Sequence, residues 1–303
     1  MTQISKEIFH TYQVRKTYKQ KTAFIEFIKQ HYPNAYVEEG GLMHSRNIII
    51  GDIASAKAIL TAHYDTCAVL PVPNFVTPKN MLFSFLYGFL LGLAMLIPCV
   101  ILSSIAEMIT HSFWVSYFAL FGTLIVMFLL MLFGKANKHT ANDNTSGVIQ
   151  LCELMDRLDN EQMQNYAFVF FDNEEAGLVG SSFFKKKHKE IIANKLIINF
   201  DCVSDGNNIM FVLSKKAKEI YEQTLRDAVP PTDAKTVLVE SNSTAFYPSD
   251  QKVFPLSIGV AALKKKFFIG YYLDRIHTSR DVIFDESNIL FLCDGIINFI
   301  GRF

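Results

Sequence analysis

The chain has no C-x-x-C pair and only five cysteines, Cys67, Cys99, Cys152, Cys202 and Cys293, an odd number at wide spacing. A secreted disulfide framework normally uses an even count, and isolated thiols build neither a structural zinc site nor a redox dithiol. Reduced core cysteines in a reducing compartment are therefore expected. Surplus positive charge is missing too: Lys+Arg and Asp+Glu both number 29, and the basic residues form only short clusters such as Lys185–Lys187 and Lys264–Lys266. Such a surface cannot neutralise a phosphate backbone, so nucleic acid is not an expected partner. The first thirty residues lack an uninterrupted apolar stretch followed by a small-residue cleavage site, and no secretory signal is expected there. Internal repeats, low-complexity tracts and long linkers are also absent.

What is present is an excess of apolar sequence. Hydrophobic residues make up 50% of the 303, high for a soluble enzyme. Residues 81–106, MLFSFLYGFLLGLAMLIPCVILSSIA, carry no charge, and as a helix they would extend roughly 39 Å. Residues 113–133, FWVSYFALFGTLIVMFLLMLF, are also uncharged and would extend roughly 32 Å. Both lengths suffice to cross a bilayer core. A pair of buried core helices is the competing reading, but helices apolar all round for this length are rare in soluble cores. Pro98 is tolerable in a membrane helix. Glu107 and His111 are expected in a short polar turn between the helices. Lys79 precedes the pair, Lys135 and Lys138 follow it, and the turn has no Lys or Arg. The positive-inside rule then puts both flanks, with both termini and the rest of the chain, on the cytoplasmic side.

Outside this hairpin, β-branched runs alternate with amphipathic stretches. Strands are expected at Asn47–Ile50, Ala58–Ala62, Ala167–Phe171, Leu196–Phe200, Ile209–Leu213 and Phe254–Val260. Helices are expected over Lys21–His31, after Asn144, after Glu175, over Lys215–Asp227 and over Glu286–Ile300. The pattern predicts an α/β fold: a mainly parallel mixed sheet with helices on both faces. Residues 1–78 and 135–303 would form one domain, with 79–134 as an inserted helical hairpin.

Several polar residues are placed where open α/β sheets bind ligands. His63 and Asp65 form H-x-D at the end of an apolar strand. Asn142-Asp143-Asn144-Thr145-Ser146-Gly147 is a polar turn entering a helix, where Asp143 by itself would pass for an ordinary N-cap. In Phe171-Asp172-Asn173-Glu174-Glu175, two adjacent carboxylates leave a buried strand, where an unpaired charge is expensive. Asp201 ends the run Leu196–Phe200, and His277 lies in Arg275-Ile276-His277-Thr278-Ser279-Arg280-Asp281 before the last helix. Each fragment alone has a bland reading as loop polar residues. Their joint order places two histidines and four acids at one sheet edge.

With these pieces, HYD at 63–65, NDNTSG at 142–147, FDNEEAGLVGS at 171–181, NFD at 199–201 and IHT at 276–278, the chain resembles the M28 family of metallopeptidases. The inserted hairpin is the departure. The resemblance implies a zinc exopeptidase-like fold, peptide substrates and two co-catalytic zinc ions bridged by Asp143. One ion would take His63 and Asp201, the other Glu175 and His277. Glu174 would be the general base, and Asp65 would orient the His63 ring. The resemblance also implies a cis peptide bond between Asp143 and Asn144. Ser249-Asp250-Gln251 is similar to the family's S-D-H stretch, with Gln251 where a histidine often stands. Tyr271 and Tyr272, close to His277 in the chain, either help hold an intermediate or pack in the core.

The hairpin and the ligands are close neighbours in the chain. Met81 follows Asp65 by 16 residues, and Asp143 follows Phe133 by 10. Ten extended residues reach at most ~35 Å, so the metal site is expected within that distance of the bilayer surface. The expected function is that of a membrane-anchored zinc aminopeptidase. Alternatives are a glutaminyl-cyclase-like transferase with a single zinc, or a catalytically silent membrane receptor or scaffold. Substrates delivered at the membrane and ordinary soluble peptides stay equally open.

Overall fold

In the computed structural model, which describes residues 1–303, nine strands form one sheet. They are β1 (Tyr36–Gly40), β2 (Ser45–Ile50), β3 (Ala58–His63), β4 (Tyr166–Phe171), β5 (Leu196–Phe200), β6 (Asn208–Leu213), β7 (Thr236–Ser241), β8 (Ser257–Lys266) and β9 (Gly270–Tyr272). Their spatial order is β1-β2-β4-β3-β5-β8-β6-β7, and β9 pairs with β8. The sheet is mixed. Its centre, β4-β3-β5-β8, is parallel, as is the outer pair β6/β7. The pairs β1/β2, β2/β4, β6/β8 and β8/β9 are antiparallel. Strands on both sides of residues 79–134 meet in the middle, since β3 pairs with β4 and β5.

The helices are α1 (Gln3–Thr11), α2 (Tyr18–His31), α3 (Met81–Thr110), α4 (Phe113–Phe133), α5 (Gly147–Arg157), α6 (Asn160–Met163), α7 (Val179–Lys187), α8 (Lys189–Ile192), α9 (Lys215–Ala228) and α10 (Glu286–Ile300). The alternation of β4 shows how the layers form. Phe168 and Phe170 join the larger core under α1, α2, α5, α9 and α10. Ala167, Val169 and Phe171 point to the smaller core, where Phe184 of α7 and Ile192 of α8 close the other face. Phe170 is fully buried, so Phe170→Ala should cost about 3–5 kcal/mol of stability. A lowered thermal midpoint in detergent solution checks this.

Three sequence expectations shift. The expected strand at Phe254–Val260 starts only at Ser257, because a turn at Asp250–Val253 and Pro255, which has no N–H, precede it. It then continues to Lys266 because β9 folds back on it. β1, β7 and β9 are additional to the expected strands: β1 reads YVEEG and is only partly buried, and β9 is three residues long.

The third shift concerns the hairpin. α3 runs one turn beyond residue 106, to Thr110, because no Pro or Gly interrupts that turn. His111 then ends the helix in a left-handed conformation, its N–H donating to Glu107 O at 2.8 Å. Glu107 therefore lies on the helix, and the connection is only His111-Ser112. α3 and α4 pack on each other, with Ser103 Oγ donating to Ser116 O at 2.9 Å. Only Cys99, Ser103 and Ser116 are buried in the two helices. Their apolar side chains point outward, so these sequences do not make a buried core pair.

Candidate metal centre

The parallel strands end at one edge of the sheet, and the chain leaves each with an ionisable group. His63 is the last residue of β3, Asp201 follows β5, and Asp172-Asn173-Glu174-Glu175 follows β4. Asp143 lies in the irregular turn Ala141–Ser146 that enters α5, and the Asp143–Asn144 peptide bond is cis. His277 comes from the loop between β9 and α10.

These elements bring four side chains together around the Asp143 carboxylate. His63 Nε2 stands 3.4 Å from Asp143 Oδ1 and 3.6 Å from Asp201 Oδ1. His277 Nε2 stands 3.0 Å from Asp143 Oδ2 and 3.1 Å from Glu175 Oε2. Asp143 thus turns one oxygen to each histidine. Glu174 is beside them, its carboxylate grouped with His63 and Glu175 within 4.8 Å.

Asp65 touches both the His63 ring and the glutamate turn. The Nδ1 of His63 lies 3.2 Å from the Asp65 carbonyl oxygen but 3.5 Å from its carboxylate. The carboxylate instead accepts the N–H groups of Glu174 at 3.0 Å and Glu175 at 3.2 Å. One residue therefore orients the His63 ring through its backbone and holds the two-glutamate turn through its side chain. Asp65→Ala should lower metal affinity about 10–100-fold, as loss of such supports does. Titration of the metal-free protein with zinc reads this directly.

Other residues stand behind these groups. Asp281 is buried, and its two oxygens accept the N–H groups of Asn142 at 2.9 Å and Asp143 at 3.0 Å. Burial, with the charge of Asp143, pushes Asp281 up to about 8. The Tyr247 hydroxyl donates to Asp201 O at 3.0 Å. Asn144 Nδ2 donates to Phe200 O at 2.9 Å, and its Oδ1 accepts the N–H of Gly147 at 3.0 Å. Lys21 pairs with buried Asp172 and donates to Asn173 Oδ1 at 2.7 Å, pinning the start of the glutamate turn from α2. Cys67 groups with Glu175 and His277 within 4.8 Å.

The other sequence candidates lie around the site. Asp250 is buried with neither carboxylate oxygen hydrogen-bonded; the neighbouring Ser181 hydroxyl donates to Leu178 O at 3.3 Å. Burial pushes Asp250 up to about 7. Gln251 spans from Asn199 to the Tyr247 carbonyl. Tyr272 is buried against Phe75, and Tyr271 packs beside the cluster that includes Leu273 and Ile276. Both tyrosines are packing residues.

The electrostatics ask for a cation. No lysine or arginine pairs with Asp143, Glu174, Glu175 or Asp201; buried Arg15 turns instead to Tyr64 O and Thr145 Oγ1. Burial holds Glu174 well above the carboxylate range and raises Glu175 as well. Burial opposes charge on His63, but Glu174, Asp143 and Asp201 outweigh it and raise the ring. His277 is raised in the same way, against burial, chiefly by Glu175. Asp143 is lowered despite burial by its two histidine partners. Glu175 Oε1 is buried with no hydrogen-bond partner.

This mixed nitrogen and oxygen donor set suits zinc. Donors ~2.0–2.1 Å from a tetrahedral ion stand about 3.3–3.4 Å apart, close to the separations in both histidine clusters. The side chains present fit a metal.

Two cavities reach these residues. One, of about 470 Å³, is lined by Asp65, Cys67, Glu175 and His277 on one side and by Met131–Gly134 at the end of α4 on the other. A second, of about 240 Å³, lies between Asn74, Val76, Tyr247 and Pro248 and contacts Asp143, Glu174 and Asp201.

Among the solved structures that share the fold are two with TM-scores above 0.5. The LapA aminopeptidase of Legionella pneumophila has 13% identity and a TM-score of 0.54, with 98% of this chain and 67% of that chain covered. The glutaminyl cyclase of Porphyromonas gingivalis has 14% identity and a TM-score of 0.55, with 99% and 95% covered. At such identities the likeness is one of fold. No curated protein matches the chain. The family model described as peptidase family M28 matches residues 128–289, more than half of the chain. That match includes Asp143, Glu174, Glu175, Asp201 and His277 and leaves out His63 and Asp65, which β3 brings in. By this match and by its fold, the chain belongs to peptidase family M28.

Proposed function

We propose that the protein is a membrane-anchored, zinc-dependent exopeptidase, an aminopeptidase that hydrolyses N-terminal peptide bonds. The observation that carries this reading is the Asp143 carboxylate, with one oxygen turned to the His63–Asp201 pair and the other to the His277–Glu175 pair. These residues would hold two zinc ions. Ions held there supply an acidified water and a polarised scissile carbonyl. The side chains do the rest. Glu174 takes the proton from the attacking water and returns it to the leaving amine. Asp65 holds the Glu174 and Glu175 N–H groups so that the two carboxylates keep separate tasks. Asp281 and Asn144 hold the turn that aims Asp143. Family membership and the likeness to LapA aminopeptidase support hydrolysis at the N-terminal end.

Metal analysis of the purified protein, run beside a panel of free and N-blocked peptides, tests the reading. Two zinc ions per chain and cleavage that requires a free N-terminus are expected. The fold likeness to a glutaminyl cyclase keeps one rival. A single ion with cyclisation of N-terminal glutamine would replace the peptidase reading, and a chain that binds no metal would point to a receptor or scaffold.

The membrane part rests on α3 and α4, which are long and apolar enough to span and have only three buried residues. Residues 1–78 and 135–303 then form one peptidase domain carrying the hairpin as an insert at 79–134. With Lys79, Lys135 and Lys138 at its base, that domain and both termini are cytoplasmic. All five native cysteines are buried, so introduced thiols can report topology. In intact cells a membrane-impermeant maleimide should label Ser112→Cys and spare Lys138→Cys; the opposite pattern reverses the orientation. Because Met131–Gly134 wall the larger cavity, the mouth opens at the hairpin base and suits peptides delivered at the leaflet surface. Equal cleavage of soluble peptides by a folded, hairpin-deleted enzyme would reduce the hairpin to an anchor.

A further inference from the structure

The tip of the β8–β9 hairpin plays no part in the site. Phe267 is 95% exposed and Phe268 is 88% exposed. Outside α3 and α4, only these two and Leu42 leave more than four-fifths of a large apolar residue in the open. Two adjacent phenylalanines in that state have no packing reason within the chain.

Their surroundings say what covers them. Ile269 O accepts a hydrogen bond at 3.1 Å from Nδ2 of Asn80, the residue that caps the start of α3. Phe75 extends the connection: its ring lies 6.2 Å from Tyr272 of β9, 5.6 Å from Phe83 and 5.1 Å from Tyr87 in the first turns of α3. The tip is thus held beside the first turn of the helix, next to exposed Met81, Leu82 and Phe85. Lys264 is spent on Asp205 and Asp274. Lys265 and Lys266 are exposed, without an acidic partner, and stand over Tyr271 and Tyr272. Lysines above and bare aromatic rings below, at the entry point of a spanning helix, match the headgroup and acyl layers of a leaflet.

We propose that Phe267 and Phe268 insert into the leaflet from which α3 departs, while Lys265 and Lys266 meet its anionic headgroups. This rests on the reading of α3 and α4 as a membrane hairpin and adds a second, non-helical contact to it. β9 runs on to the Val76–Leu273 bridge and then to His277. The tip therefore sets the height of the metal centre above the lipid.

The chain's single tryptophan, Trp114, lies in α4, which gives the test an internal control. The full-length parent and a W114F/F267W variant are reconstituted into phosphatidylcholine vesicles, with and without phosphatidylserine. Each is then quenched by lipids brominated near the headgroup and by aqueous acrylamide. The expected result is that the tryptophan at 267 loses most of its emission to the brominated lipid, is shielded from acrylamide and responds more strongly with phosphatidylserine present. Acrylamide access at 267 with Trp114 quenched by lipid overturns the proposal and leaves the hairpin standing. Shielding at 267 without lipid quenching also overturns it, in favour of a protein partner or a second copy. Failure of Trp114 itself to be quenched sinks the hairpin reading, and this one with it. Quenching at 267 indifferent to phosphatidylserine overturns the part given to the lysines.

Discussion

Glu174→Gln is expected to keep its metal and lose turnover by about 10²–10⁴-fold, the range a positioned acid–base group supplies. The substitution keeps the shape of the side chain but removes its negative charge and its capacity to carry a proton. The local fold should survive, because the Glu174 backbone is held by Asp65 rather than by its own carboxylate. The loss should therefore fall on kcat, with KM little changed. Metal analysis and steady-state kinetics on the same preparation separate the outcomes. A variant as active as the parent ends the assignment of Glu174 as base, while one that has lost metal makes Glu174 a ligand, an option its grouping with His63 and Glu175 leaves geometrically open.

Asp143→Ala should do more, because no other carboxylate stands within 4 Å of both histidines. Each cluster loses a donor at once, and His63 and His277 lose the acceptor common to both. Metal content should fall below that of any other single ligand variant, and activity should drop at least as far as in Glu174→Gln. A readout independent of turnover follows from linkage. A ligand at a hundredfold excess over its Kd stabilises the native state by about 2.7 kcal/mol. The parent should accordingly gain thermal stability when zinc is added to the stripped protein, and Asp143→Ala should gain little. Without metal the order can invert, since the substitution removes one charge from a crowded acidic pocket. Equal zinc-induced stabilisation of parent and variant would show that Asp143 is not shared between ions.

The fold was legible where burial is two-sided or strongly periodic. Leu196–Phe200, Glu286–Ile300 and the start of α9 at Lys215 match the sequence reading residue for residue, because an uninterrupted apolar run or a clear helical stripe leaves one packing solution. The edges were not. β1 is half-buried and acidic, and β9 exists only because β8 offers it a partner. Pairing energy of that kind is absent from local composition. The far end of α3 was misplaced for a related reason: a polar residue such as Glu107 does not stop a helix unless something else does, and here the stop is the left-handed turn at His111.

At the candidate site, His63, Asp143, Glu174, Glu175, Asp201 and His277 each have a bland reading in the sequence alone; their joint order and the resemblance to family M28 single them out as candidates. Composition and run length alone also marked residues 81–133 as lipid-like. Only the tertiary structure decided that the two oxygens of Asp143 face different histidines, that Asp65 grips the glutamate turn, and that Asp281 and Tyr247 stand behind the ligands. It also decided that the end of α4 walls the same cavity as Glu175 and His277. Local sequence specifies which groups are available through burial and periodicity. Which of them meet is set by the order and direction of strands distant in the chain, a property of the packed sheet that no segment carries by itself.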